Sequence, residues 1–331
     1  MHAMLLLRRD DIRAVFSMRD AIEADKEAFV AQTRGETRVP LRGAVDVPGG
    51  QSLFMPAYVG GAVDRCGIKI VTVMPHNGAR GKPVVPATVA LLDRETGEVE
   101  ALLDGTTLTQ MRTAAVSGVA TELLAREDAR VGALFGTGGQ AECQLEALLV
   151  TRPLEEVRIF DPLPGRAEAF AARCAPRGER SGARLIPVVT PGEAVRGADV
   201  ITTVTTAATP VFRGEDVAPG AHVNAVGSYT PGRRELDTTL MERAGRVFVD
   251  HREAVLAEAG DLLIPLAEGR FSLDRIAGDL GELLEGRVVG RTSPEEITVM
   301  KTVGFATLDV VAAARVLEKA RGAGRGEEVA W

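Results

Sequence analysis

Three cysteines in 331 residues, Cys66, Cys143 and Cys174, are too few and too scattered for a disulfide framework. None stands at metal-ligand spacing from another cysteine or from His2, His76, His222 or His251, so no metal site is expected and a reducing cytoplasm is the expected setting. The chain also lacks a basic excess. Its 39 Lys and Arg are outnumbered by 46 Asp and Glu, and a net charge of −7 speaks against nucleic acid as a partner. No apolar run approaches the ~20 residues that cross a bilayer, and the uncharged stretch 200–212 is rich in threonine. The short apolar run 4–7, followed by Arg8 and Arg9, reverses the order of a secretory signal. There is no repeat of fixed period, and the Gly- and charge-rich tail 321–328 is expected to fray. What remains is an ordinary globular composition, 45% hydrophobic and 26% charged, in a chain long enough for two lobes.

The middle of the chain alternates short β-branched runs with helix-length segments. Residues 131–135, 157–160, 185–189, 200–204, 223–226 and 247–249 read as strands, and their spacing implies βαβ units and a parallel sheet. Residues 1–110 read as an α+β lobe: a helix near 20–32, strand-like segments at 66–74 and 86–93, and an antiparallel hairpin of 87–92 with 99–103 around Gly97. The hairpin is expected to supply edge strands. At the far end, Ser293 and Glu296 form a capping-box pattern, so 294–319 is expected to be one helix. Lys301 and Asp309 fall on it as a cap and a surface charge, with no chemistry assigned.

The run 131–135 leads directly into Gly136-Thr137-Gly138-Gly139-Gln140-Ala141 and then a helical stretch. This is G-x-G-x-x-A between a strand and a helix, the context that the dinucleotide fingerprint requires. Gly136 allows the tight turn, Gly138 a close approach of a pyrophosphate, and Ala141 close helix packing, while the helix N-terminus offers N–H groups to phosphate. Asp161 ends the next strand about twenty residues on, the position of the acid that binds the adenosine ribose. A carboxylate there repels a 2′-phosphate, so NAD is expected over NADP, with Arg158 and Arg166 near enough to blur the choice.

Together with its flanks, the chain resembles the ornithine cyclodeaminase/μ-crystallin family. The resemblance rests on Arg42, Leu53-Phe54-Met55-Pro56-Ala57, Gly67-Ile68-Lys69, Leu91-Leu92-Asp93, and Leu108-Thr109-Gln110-Met111-Arg112-Thr113-Ala114-Ala115. It continues through the glycine loop, Val223-Asn224-Ala225-Val226-Gly227, Arg234-Glu235-Leu236-Asp237 and the segment 301–309. It implies a Rossmann doubly wound parallel sheet, residues 113–304, that binds NAD(P). It also implies an α+β substrate-binding and dimerisation domain, residues 1–112 with 305–331, and a homodimer acting on a small amino or imino acid. A substrate carboxylate needs a fixed cation, for which arginine's planar fork is suited; Arg42 and Arg112 are the candidates, Arg112 just ahead of a helix start. Lys69, in a strand-like run, is costly to bury unless paired, and burial lowers its pKa toward the range where it exchanges protons at neutral pH. The resemblance makes it the catalytic residue and a substrate ligand. It also gives Arg112, Thr88, Thr113, Thr202, Val226, Gly227 and Ser228 contacts to the cofactor, beside Gly136, Gly138, Gly139, Gln140 and Asp161.

One position departs from the pattern. In the family it resembles, ornithine cyclodeaminases and alanine dehydrogenases carry Asp two places after the glycine of the Val-Gly segment, and here that place holds Tyr229. A tyrosine of ordinary pKa is a poor base at neutral pH but a usable hydrogen-bond donor to substrate. Reduction of a C=N bond tolerates this change better than deamination does. The expected activity is therefore NAD(P)H-dependent reduction of an imino acid or cyclic ketimine carboxylate, or the reverse oxidation. A cyclodeaminase-type lyase and a weakly catalytic dinucleotide-binding protein are the alternatives.

Overall fold

The structure, a computed structural model, describes residues 3–330, so His2 lies outside it. The described chain divides into two compact units, one running to Arg112 and resuming at Phe305, the other Thr113–Gly304.

The first unit is built on β1 (Ala3–Leu7), β2 (Thr37–Arg38), β3 (Gly43–Val47), β4 (Gly50–Val59), β5 (Arg65–Val73), β6 (Ala87–Leu92) and β7 (Val99–Asp104), with a last strand at Glu327–Ala330. Their order is last strand, β1, β7, β6, β5, β4, β2, with β3 also on β4. All pairs are antiparallel except β1 with β7. The long central strands alternate: Leu53, Met55, Ala57 and Val59 of β4 are buried, while Phe54 and Tyr58 are exposed. The buried face is covered by the C-terminal helix Ala306–Gly322, on which α1 (Arg9–Val15) and α2 (Met18–Thr33) pack. Gly67 lets that helix approach, since a Cβ there would stand 2.8 Å from the Ala90 carbonyl oxygen and 3.3 Å from Val310. Helix α3 (Gly105–Leu124) begins in this unit and carries the chain into the second.

The second unit holds an all-parallel sheet of β8 (Val131–Phe135), β9 (Glu156–Phe160), β10 (Arg184–Pro187), β11 (Val200–Thr203), β12 (His222–Ala225), β13 (Arg246–Val249), β14 (Ile276–Asp279) and β15 (Thr298–Lys301). The order is β10-β9-β8-β11-β12-β15-β13-β14. Ala133 and Phe135 of β8 enter one apolar core and Leu134 the other, so both faces are covered. This is the doubly wound Rossmann arrangement, and burial on both faces is why its strands read as continuous apolar runs.

Four expectations are corrected. Residues 294–319 are not one helix: Thr298–Lys301 is β15, buried on both faces between β12 and β13, and the helix begins only at Ala306 after Gly304 turns the chain at φ 77°. Glu296 accepts instead from the Thr292 N–H at 2.6 Å, closing a loop. The tail does not fray through 328, because Glu327–Ala330 satisfies the open edge of β1. The β6–β7 hairpin forms as an antiparallel pair but lies inside the sheet, with β5 and β1 as outer neighbours, so it supplies no edge. Arg112 lies within α3, not ahead of a helix start.

Candidate active site

In the first unit, Lys69 sits mid-strand on β5, facing the same way as Met55 of β4 and Val89 of β6, its register partners. It is 1% exposed. A lysine so placed needs an anion, and Asp309, on the C-terminal helix that covers this face, supplies it: Oδ2 is 2.7 Å from Lys69 Nζ. The other oxygen of Asp309 accepts from Arg112 Nε at 2.9 Å. Asp309 takes only the Nε, which leaves the two terminal guanidinium nitrogens, the fork that fits a carboxylate. Burial, with the Arg112 charge beside it and Arg42 adding to it, lowers the Lys69 pKa from 10.5 to about 7; Asp309 holds it from falling further. Burial alone would raise the Asp309 pKa, but Arg112 and Lys69 overcome it and keep the carboxyl below the usual range. Asp309 and Asp25 were not foreseen as part of a site. Asp309 is no surface charge, being fully enclosed. Asp25 lies on the buried stripe of α2, and among the described residues neither of its carboxylate oxygens has a hydrogen-bond partner. Its burial, reinforced by the Asp309 charge and opposed by Arg112, pushes its pKa well up. The usable signal for Asp309 was an acid inside an apolar helical run, Leu308-Asp309-Val310-Val311, whereas Asp25 lies among Glu23, Lys26 and Glu27 and carries no such signal.

Arg42, between β2 and β3, is near enough for its charge to act on Lys69. Thr88 stands opposite Ile70 on the other face of the sheet from Lys69.

In the second unit, the glycine loop joins β8 to α4 (Ala141–Thr151). Gly136 has φ 96°, and a Cβ there would lie 2.8 Å from the Val204 carbonyl oxygen. A Cβ at Gly138 would meet nothing, so with Gly139 the loop presents bare backbone. The Gln140 side chain does not cap the start of α4, and its buried Oε1 has no hydrogen-bond partner among the described residues. An open backbone cradle at an uncapped helix start suits a pyrophosphate. Asp161 braces the loop, accepting from the Thr137 N–H at 3.1 Å and hydroxyl at 2.6 Å through one oxygen and from Leu163 N–H at 3.0 Å through the other. Arg158 is committed elsewhere, to Glu156 and to the carbonyls of Glu193 and Arg196.

The remaining expected cofactor residues differ in their surroundings. The Thr113 carbonyl accepts from Gln144 Nε2 of α4 at 3.4 Å. Thr202 is fully enclosed, its hydroxyl 3.5 Å from the Asn224 amide, so its side chain meets the core. Val226 and Gly227 follow β12, and the Ser228 hydroxyl donates to the Arg233 carbonyl at 2.6 Å, a local use. Tyr229 is 39% exposed. Lys301 is neither a cap nor on a helix; it ends β15, fully buried, 2.8 Å from Asp261.

Comparison with known proteins gives one family. The profile of the ornithine cyclodeaminase/mu-crystallin family matches residues 2–324. A Delta(1)-pyrroline-2-carboxylate reductase of Bacillus cereus is 38% identical over 328 residues, 98% of this chain and 99% of that one. The structure of the Thermococcus litoralis Delta(1)-pyrroline-2-carboxylate reductase in complex with NADH and L-proline superposes with a TM-score of 0.94 at 36% identity, covering 98% of this chain and 100% of that one. An archaeal alanine dehydrogenase dimer with bound NAD superposes at 0.90 and 32% identity, over 100% of both chains. Among the described residues no helix is long and apolar enough to cross a membrane.

Proposed function

We propose, from the premise that this chain belongs to the ornithine cyclodeaminase/mu-crystallin family, that it is an NAD(P)H-dependent reductase of the C=N bond of a small imino acid or cyclic ketimine carboxylate. The observation that carries this reading is the buried Lys69–Asp309–Arg112 cluster, which joins a carboxylate-binding fork to an ammonium that titrates near neutrality.

Gly136, Gly138, Gly139 and Gln140 would hold the pyrophosphate, and Asp161 the adenosine ribose, which favours NAD. When bound, the reduced dinucleotide supplies a hydride. Arg112 and Arg42 hold the substrate carboxylate and so fix the imine carbon and nitrogen. The Lys69 ammonium would give its proton to the imine nitrogen, which takes up the C=N π pair when the carbon is reduced. Asp309 keeps Lys69 in its protonated form and aims it. The reverse sequence oxidises the amino acid, with Lys69 accepting the proton. Tyr229, in place of the cyclodeaminase aspartate, donates a hydrogen bond and does not act as base.

The chain functions as a homodimer in the cytoplasm in this reading. The outer face of the first unit's sheet supports pairing: Phe54 and Ile70 are register partners, and both are exposed.

The decisive experiment follows NADH and NADPH absorbance with a panel of cyclic ketimine carboxylates, and of keto acids with amines, beside an ammonia assay on ornithine. Stoichiometric oxidation with one panel member is expected. Ammonia and proline from ornithine without net NADH consumption would instead establish the lyase.

A further inference from the structure

The carboxyl ends of β11, β12 and β15 are joined by a buried polar network that the proposed reduction does not use. Thr203, Ala225 and Lys301 stand in register at the ends of these neighbouring strands. Glu235, fully enclosed, accepts from the Thr203 hydroxyl at 2.8 Å, from the Thr205 N–H and hydroxyl at 2.6 and 2.7 Å, and from the Gly227 N–H at 2.7 Å. One carboxylate thereby ties the segment after β11 to the segment after β12. Asp261, also enclosed, accepts from the Glu235 and Leu236 N–H groups at 2.7 and 2.9 Å. Its other oxygen lies 2.8 Å from Lys301 Nζ, and Lys301 in turn donates to the Ser228 carbonyl at 2.6 Å. The backbone is pressed into this arrangement. A Cβ at Gly227 would fall 2.2 Å from the Thr205 carbonyl oxygen, and one at Gly260 would fall 2.0 Å from the Arg233 carbonyl oxygen.

Three buried ionisable side chains are a poor route to stability, since a well-packed apolar set of similar volume often does as well or better. What they supply is fixed geometry. In a trans peptide the carbonyl and the following N–H point in opposite directions, and the described residues hold no cis peptide bond. With the Ser228 carbonyl held inward on Lys301, the Tyr229 N–H points away from the network. No protein acceptor takes that N–H among the described residues. In open α/β sheets this carboxyl edge is where ligands bind.

We propose that Glu235, Asp261 and Lys301 are positioning residues that aim the Tyr229 backbone N–H at the carboxamide oxygen on the nicotinamide end of the dinucleotide. The proposal rests on the dinucleotide site of the preceding reading and adds residues that act through another. Glu235 must be an all-acceptor group. In Glu235→Gln the amide nitrogen turns donors against the donors of Gly227 and Thr205, and Lys301→Met removes the donor to Ser228.

The test compares two ligands that share the adenosine and pyrophosphate but differ at the nicotinamide: NADH and ADP-ribose, titrated by fluorescence and calorimetry against wild type, E235Q and K301M, with melting temperatures recorded. Each variant is expected to weaken NADH by about tenfold, the worth of one hydrogen bond, while ADP-ribose affinity stays within about twofold. Equal weakening of both ligands would reduce the network to a fold support and overturn the proposal. So would unchanged NADH affinity, with or without a raised KM for the imine. If both variants fail to fold, Thr203→Val decides, because it removes one of the four donors to Glu235 in a similar shape. A smaller NADH-selective loss supports the proposal, and an unchanged ratio of the two affinities overturns it. Should the wild type bind NADH yet reduce no imine, the assigned reaction fails while this comparison still stands.

Discussion

Asp309 Oδ2 lies 2.7 Å from Lys69 Nζ, and the same carboxylate accepts from Arg112 Nε, so one enclosed anion orders two cations on different elements. The pair also sets the acidity of the lysine. Burial and Arg112 draw the Lys69 pKa down to about 7, and Asp309 is the opposing attraction. If protonated Lys69 is the acid in reduction, kcat/KM falls as pH rises through about 7. Asp309→Asn removes the attraction, so Lys69 loses its proton at lower pH and the falling limb moves to lower pH. A pH profile of imine reduction checks this, and an unmoved limb would remove Asp309 from the control of Lys69.

Lys69→Ala deletes the proton donor and leaves the glycine loop of the second unit intact. Turnover is expected to fall by about 10²–10⁴-fold, the usual worth of a positioned acid, while NADH affinity stays the same. Single-turnover kinetics beside an NADH titration separate the two effects. Full activity in this variant would make the lysine a bystander.

How much of this was legible in the sequence depended on how local the signal was. Lys69 could be singled out because β5 alternates, and a lysine on the inward parity is conspicuous between Gly67 and Val71. Gly136 to Ala141 was legible because strand, loop and helix are contiguous. Its apolar neighbours mark Asp309 as unusual, but its pairing was not legible, since Arg112 is 197 residues away. β15 was misread for a related reason. Its four residues follow a capping-box pattern and gain strand character only from the strands on either side, β12 and β13, which lie far upstream.

Asp25 supplies a stability prediction with a definite sign. Its folded pKa is raised well above 3.8 by burial, so the folded state prefers the protonated acid. Its contribution is fully present below about pH 3.8 and is lost as pH rises toward the folded pKa. Asp25→Asn, which cannot ionise, is free of that loss. The melting temperature of Asp25→Asn minus that of wild type is expected to grow from about pH 4 to pH 7, as scanning calorimetry across pH would show. A difference independent of pH would mean that Asp25 ionises equally well in both states.

Gly136→Ala tests the glycine loop. The residue has φ 96°, and its Cβ would stand 2.8 Å from the Val204 carbonyl oxygen. Backbone strain of about 1–3 kcal/mol, added to that contact, is expected to displace the turn and weaken NADH and ADP-ribose alike. Equal affinity to wild type for both would show that the turn does not shape the pyrophosphate cradle.

Ile70 is 44% exposed at the centre of the first unit's open sheet face, with Phe54 beside it on β4 and Thr88 on β6. Opposite it on the inner side of the same strand are Lys69 and Val71, so a change at Ile70 reaches the open face without entering the core. In a symmetric dimer each substitution occurs twice, and Ile70→Glu would bury two carboxylates in an apolar contact. Sedimentation velocity is expected to show the wild type as a dimer and this variant as a monomer with an unchanged melting profile at low concentration. A dimer that survives the substitution would move the interface to another face of the chain.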